Sequence, residues 1–477
     1  MTSTELNDEL APRIDDAKLD ALAEWPAARL SREELSRLVD TGEIENVIVS
    51  APDVQGKLAG KSVPARLFLD DAKLDLSSGV LIYDNNWAML EHLPDLGIAN
   101  GWADMHMHAD MRSLRRIACL ERTAIVIADG TWVTGEPVTQ LPRQILRRQL
   151  ARAAQRGLAV VCAVECEFYV FAETYESAAA KNYSGLKRAG TCDGDYSVMH
   201  LNRVDPLVAD ISRECIASGI PIESIKHEWG RVQLELTLTY CDALEAADRI
   251  ALFKLITKQV ALRHGFAATF MARFSHEEGP SSGHVHLSLW DADECRSLMR
   301  DDSGPACLSE LARHWLGGQM ALVHELMPMF CPYTNSYKRL QIDAASIGPA
   351  TNAWSIDVRS VPFRVVGRGD SLHLEIRTPG ADANFYLAIA AIIASGLYGI
   401  DHALEPIGEA VVTVAAPGER LPSSLRDATA LFRDSARVRE MFGDEVVNHL
   451  AGFADHELDV AERHVSDVER RRTFECA

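Results

Sequence analysis

A chain of 477 residues with 47% hydrophobic content is long enough to bury a large core, as two or three domains or one large one with an appendage. Its 69 acidic residues against 48 lysines and arginines, a formal net charge of -21, argue against a nucleic-acid partner or an anionic membrane surface. Ten cysteines are scattered without a Cys-x-x-Cys and no signal peptide opens the chain, so a reduced, cytoplasmic protein is expected. The longest apolar run, Phe385 to Ile400, falls short of the ~18 residues of a membrane span and reads as a buried core helix. Local basic clusters at Arg115-Arg116, Arg147-Arg148 and Arg470-Arg471-Arg472 read as solvated helix faces.

In chain order, residues 1 to about 28 are rich in Asp, Glu and Ala, and an N-terminal extension over 1–33 is expected. Val47-Ile48-Val49 reads as a strand, and Asp53 to Leu58 as a turn leading into a second one. The β-rich texture continues through Gly79 to Tyr83 and Ala124 to Ala128, marking a small domain over 34–135. A larger domain, 136–477, follows the Gly- and Pro-marked segment that ends at Pro142. It begins with a helix from Arg143 that Gly157 stops.

The next run, Leu158 to Phe171, is apolar except at Glu165 and Glu167. In a strand these two carboxylates share a face ~7 Å apart, a spacing suited to two ions, or to one ion and one substrate. Buried acids are seldom left unpaired, so a cation or an Arg or Lys partner is required there. Residues 173–203 are polar and irregular, with a turn at Asp193-Gly194-Asp195, and read as a surface or active-site loop. Arg231 to Tyr240 alternates, setting Gln233 and Glu235 opposite Val232, Leu234 and Leu236. Asp242 is placed to cap a helix that Gly265 closes. His284, His286 and Ser288 share one face of a further strand, and His373, Glu375 and Arg377 do the same on a later one. Strands with apolar residues on one face and acid, imidazole or guanidinium groups on the other describe a curved sheet, backed by helices, that lines a polar cavity.

Each motif is weak alone. Together Glu165, Glu167, Glu228, Glu235, Glu375 and His284 make an oxygen-dominated set that favours Mg²⁺ or Mn²⁺ over zinc. Arg339, Arg359, Arg364 and Arg377 add guanidinium groups suited to phosphoryl transfer or to carboxylate recognition, although Arg359 and Arg364 could instead pair with core acids. No Gly-x-x-x-x-Gly-Lys, no Gly-x-Gly-x-x-Gly after a strand and no Gly-x-Ser-x-Gly occurs, which sets aside P-loop, Rossmann and α/β-hydrolase sites.

At these residues the sequence resembles the glutamine synthetase family. The resemblance runs from about Leu35 to Ile400, through ECEF at Glu165, QLEL at Gln233, GHVHLSL at Gly283, NSYKR at Asn335 and LEIRTPGADAN at Leu374. It implies an α+β fold: a small N-terminal β-grasp domain plus a large catalytic domain with a curved antiparallel sheet backed by helices. The family assembles as two hexameric rings, so a homododecamer with sites between subunits is expected. The resemblance also implies ATP as co-substrate and two metal sites, Glu167, Glu228 and Glu235 for the first and Glu165, His284 and Glu375 for the second. His286 would approach the nucleotide or the glutamyl group and Ser288 the nucleotide, Arg339 and Arg377 would hold the α-carboxylate of glutamate, and Arg359 and Arg364 would meet phosphates. Glutamate, ATP and a small amine are the implied partners.

Departures from the family pattern shift the expected amine. Gln341 to Gly348 contains no Glu, only Asp343, where ammonium-using members carry a flap glutamate. Asp75-Leu76-Ser77-Ser78-Gly79 is a loose echo of the usual Asp-Gly-Ser-Ser. Losing carboxylates at an amine site lowers its affinity for a small cation and makes room for a carbon-bearing amine. The sequence thus resembles the branch of γ-glutamyl-amine ligases acting on ethanolamine, polyamines, isopropylamine or aniline. Pro280-Ser281-Ser282-Gly283 should stiffen the loop before His284, and His373 stands where an arginine is usual. An ammonium-using glutamine synthetase, a catalytically silent assembly and a guanidino transferase are the competing readings.

Overall fold

The computed structural model describes residues 29–71, 74–90, 93, 96, 101–190, 194–198, 204–293, 295–341, 348–409 and 418–476. Most of the expected N-terminal extension, together with Asp193 of the expected turn and Asp343, lies outside them.

The described residues form an α+β fold with two sheets. The small sheet contains β1 (Asn46–Pro52), β2 (Leu58–Pro64), β3 (Leu74–Ser77), β4 (Asp104–Ala109), β5 (Arg115–Arg116) and β6 (Thr123–Trp132). Its order is β2-β1-β6-β4-β3 with β5 on β6, and only the β1–β6 pairing is parallel among the described residues. Gly79 to Tyr83, expected to extend the strand texture, instead enters a 3₁₀ turn over Ser78–Leu81. The Ser77 hydroxyl accepts from Gly79 N and caps that turn, while Leu81 and Ile82 still reach the core.

The large sheet contains β7 (Leu158–Phe171), β8 (Ile222–His227), β9 (Gln233–Leu238), β10 (Cys241–Asp242), β11 (Ala267–Thr269), β12 (Gly283–Asp291), β13 (Trp354–Ile356), β14 (Phe363–Val366) and β15 (His373–Ile376). Its order is β13-β14-β15-β12-β7-β9-β8, with β10 and β11 also on β7. Every described pairing is antiparallel except β13 with β14. β7 is the axis of this sheet. Val164, Cys166 and Phe168 on its inner face are buried, and Phe168 meets Phe253 of the Ala243–Arg263 helix with ring centroids 6.0 Å apart. Glu165 and Glu167 therefore face away from the helices.

Local signals set the helix ends. Asp242 caps the Ala243–Arg263 helix by accepting from Leu244 N and Glu245 N at 3.0 and 3.3 Å, and Gly265 follows with φ +71°. The Pro142–Ala154 helix ends ahead of Gly157, whose φ is +69°. The Phe385–Asp401 helix is buried through most of its length and packs on the Glu310–Phe330 helix almost backbone to backbone. A Cβ on Gly396 would come within 2.1 Å of the Trp315 ring. No helix among the described residues is long and apolar enough to cross a membrane.

Two basic clusters depart from the solvated-face expectation. Arg115 is buried and donates to both oxygens of Glu245, at 3.0 and 2.8 Å. Arg147 is buried against Asp110. Beside it Arg143 donates to Asp248 at 3.0 and 2.9 Å, to Asp110 at 2.9 Å and to Asp129 at 3.2 Å. These pairs tie the small sheet to the helices behind the large one. The Arg470-Arg471-Arg472 cluster is exposed on a helix, as expected.

Candidate active site

The outward face of the large sheet gathers the acidic residues. Glu167 on β7 is the cross-strand partner of Glu235 on β9, and Glu228 follows β8. The three carboxylates offer oxygens that all lie within 4.8 Å of one another. A second group, Glu165, His286 and Glu375, converges to the same limit. His284, expected in this set, is the cross-strand partner of Glu165, with Nδ1 2.9 Å from Glu165 Oε1 and 3.3 Å from Glu375 Oε1. Both imidazoles therefore border the second group.

Hydrogen bonds orient His286. His373 Nδ1 faces the Ser371 carbonyl at 2.7 Å, which makes that nitrogen the donor and leaves Nε2 as acceptor. His286 Nδ1, 2.9 Å from His373 Nε2, must then carry the proton. The lone pair of His286 Nε2 is left buried without a hydrogen-bond partner, 3.4 Å from Glu165 Oε2. An imidazole nitrogen turned toward two carboxylates in this way is placed where a metal ligand would be.

The electrostatics agree with that donor set. Burial and the adjacent Glu228 push Glu167 up to about 8. Burial and a hydrogen bond with Glu165 push Glu235 up to about 11. Burial opposes ionisation of Glu165 as well, but the His284 hydrogen bond helps hold it well below the usual carboxylate range. Glu375 is held at about 2, since Arg377 and His284 outweigh its burial. Burial and mutual repulsion thus oppose ionisation of Glu167 and Glu235 side by side, a cost that a hard divalent cation would relieve. The residues fit Mg²⁺ or Mn²⁺.

Three of the four arginines border this cluster. Arg364 on β14 donates to Glu375 Oε2 at 2.8 Å and also pairs with Asp357. Arg377 pairs with Glu375 and lies 3.4 Å from His284 Nδ1. Arg339 is buried, bonded to the Thr378 carbonyl and 3.4 Å from Ser282 Oγ. Arg359 stands exposed on the turn between β13 and β14, apart from this set. Ser288, two residues beyond His286 on the same face, accepts from Trp290 Nε1 at 2.8 Å.

Two neighbours of the carboxylates carried no assigned role in the sequence reading. Gln233 Nε2 donates to Glu167 Oε2 at 2.9 Å and to the Pro280 carbonyl at 2.8 Å, fixing the first group to the loop ahead of β12. Lys226 on β8 is ion-paired with Glu228 and reaches 3.4 Å from Glu235. Gln233 precedes Glu235 by two residues on the same face of β9, a signal the sequence did hold, whereas Glu228 lies just past the end of β8.

An antiparallel sheet with two carboxylate groups on its open face, bordered by arginines, is the arrangement implied by the family resemblance. The chain belongs to the glutamine synthetase family: the family model described as glutamine synthetase, catalytic domain, matches residues 139–473. It is 40% identical over 450 residues to the gamma-glutamylethanolamide synthetase GlnA4 of Streptomyces coelicolor, covering 94% of this chain and 96% of that protein. It is 33% identical over 448 residues to the glutamate–isopropylamine ligase of a Pseudomonas species, covering 91% and 96%. The solved structure of apo GmaS without ligand matches with a TM-score of 0.81 at 28% identity, covering 93% of this chain and 99% of that one.

Proposed function

We propose that this protein is an ATP-dependent ligase that joins the γ-carboxylate of glutamate to an organic amine, in amine catabolism or detoxification. The observation that carries the reading is the pair of carboxylate groups split by β7, set beside Arg339, Arg364 and Arg377. Its two relatives named above act, by their names, on ethanolamine or isopropylamine rather than ammonium.

In this reading the γ-carboxylate oxygen takes the γ-phosphoryl group of ATP and ADP leaves. The amine nitrogen then attacks the acyl carbon of the γ-glutamyl phosphate, phosphate departs and the nitrogen gives up a proton. Glu167, Glu228 and Glu235 would hold one Mg²⁺ or Mn²⁺, and Glu165 and Glu375 with His284 or His286 another. These ions would neutralise phosphate charge. Arg339 and Arg377 hold the α-carboxylate of glutamate, Arg364 meets the phosphates, and His286 and Ser288 line the nucleotide side. His284 and Glu165 stay bonded as neutral base and carboxylate, which keeps the strand pair rigid under the reacting atoms. Residues 34–135 serve as the β-grasp domain and 136–477 as the catalytic domain of a cytoplasmic homododecamer, with sites completed between subunits.

Phosphate release with ATP, Mg²⁺ and glutamate across a panel of amines tests the proposal. An organic amine should give the highest kcat/KM. Ammonium outperforming every organic amine would make the protein a glutamine synthetase, and no release with any amine would make it a silent relative.

A further inference from the structure

The first carboxylate group is partly filled by the chain itself. Lys226 is the cross-strand partner of Glu235, which in turn is the partner of Glu167, so three adjacent strands set one ammonium and two carboxylates in a row. Glu228, two residues after Lys226, closes on the same ammonium from the end of β8. Beyond it lie Asp195 Oδ1 at 3.5 Å and the Tyr196 ring, whose centroid is 4.5 Å from Nζ. The lysine side chain is only 18% exposed, whereas the Asp195 side chain is 47% exposed. From one position the ammonium thus touches Glu228 and Glu235 on its buried side and Asp195 and the Tyr196 face on its more exposed side.

We infer that Lys226 is a resident cation of the Glu167, Glu228 and Glu235 group, which a divalent ion must displace toward Asp195 and Tyr196 in order to bind. The inference rests on reading that group as a metal site. Two like charges cannot share oxygens that lie within 4.8 Å of one another without strong repulsion. Lysine suits such a role better than arginine, being a compact charge on a flexible stem, whereas a planar guanidinium would bind two oxygens in a fixed fork. The tether also keeps Glu228 and the buried Glu235 beside a positive charge when no metal is present. Divalent binding at this group is therefore an exchange of one cation for another, and its affinity is set below what the bare carboxylates would give.

The test uses metal-free, full-length protein titrated with Mn²⁺ while free Mn²⁺ is followed by electron paramagnetic resonance, with neither ATP nor glutamate present. Lys226→Met should bind Mn²⁺ at one site per chain at least about tenfold more tightly than the unaltered protein, a change of about 1.4 kcal/mol. Lys226→Arg, which keeps the charge, should stay within about threefold of it. Metal-free Lys226→Met should melt at a lower temperature than the unaltered protein and recover on adding Mn²⁺; Lys226→Gln provides a second neutral variant should the first fail to fold. Equal or weaker Mn²⁺ binding by the neutral variants overturns the inference and leaves the proposed function standing. An absence of Mn²⁺ binding in every protein overturns the inference and the metal reading together.

Discussion

The carboxamide of Asn384 bonds in two directions: its nitrogen donates to the main-chain carbonyls of Asp53 and Val54, 3.2 and 3.0 Å away, while its oxygen accepts from Tyr386 N at 3.0 Å. One side chain thus caps the Phe385–Asp401 helix and pins the turn between β1 and β2 to it. The approach is close, since a Cβ on Gly56, at φ +80°, would lie 3.2 Å from Asn384 Cα. Asn384→Ala should destabilise the protein by about 2–4 kcal/mol, the sum of a lost cap and unpaired buried carbonyls. Asn384→Asp keeps the cap acceptor but turns a buried oxygen onto the two carbonyls, and should cost at least as much. Urea unfolding midpoints of the two variants measure the difference.

Arg143 makes another tie between small sheet and helices. Removing it leaves Asp248, Asp110 and Asp129 buried with reduced compensation, and Arg147 remains to serve only the latter two. Arg143→Met should lose about 3–5 kcal/mol, far more than a surface arginine such as Arg471, whose change to Met should fall within about 0.5 kcal/mol. Thermal melts of the two variants check the contrast.

Glu375 receives Arg364 on one oxygen and Arg377 on the other while facing His284. Glu375→Gln keeps the shape and removes the charge that the arginines and the proposed metal share. Turnover should fall by about a hundredfold or more with the fold intact by circular dichroism. Phosphate release under saturating Mg²⁺ is the readout, and near-normal turnover would remove Glu375 from the site.

His449 supplies a pH dependence. It is buried against Phe453, and burial lowers it from an ordinary value of 6.5 to about 3. Between those values the unfolded chain takes up a proton that the folded chain refuses, so stability is fully present above pH 6.5 and declines as pH falls. The decline is about 1.4 kcal/mol per pH unit, or about 2 kcal/mol by pH 5. His449→Leu should flatten this slope. Unfolding free energies at pH 7 and pH 5, compared between the two proteins, test the sign.

What the sequence made legible was whatever depends on neighbours along the chain. The Asp242 cap, the Gly157 and Gly265 stops and the face shared by Glu165 and Glu167 are all of that kind. The Gly79 to Tyr83 run misled because the Ser77 hydroxyl, two positions before its glycine, turned an apolar stretch into a capped 3₁₀ turn. Arg115 and Arg147 misled for a different reason: their acids, Glu245 and Asp110, lie 130 and 37 residues away. At the site, the carboxylates were legible as a set, but the place of Lys226 among them depends on the register of β8 with β9. The rival claims of His284 and His286 turn on a hydrogen-bond chain through His373 and Ser371.

β7 contributes a carboxylate to each group, and its opposite face is buried against the helices. A slip of one residue would carry Val164 and Cys166 into the cavity and drive both acids into the core. The hydrophobic layer is therefore the gauge that aligns the chemistry. Substitutions at Cys166 or Leu236, whose side chains are buried on the face opposite the ligand carboxylates, would register in rate before they register in melting, because a displacement of about 1 Å is enough to cost about a hundredfold in turnover. Residues that never meet a substrate thereby share in setting the accuracy of the site.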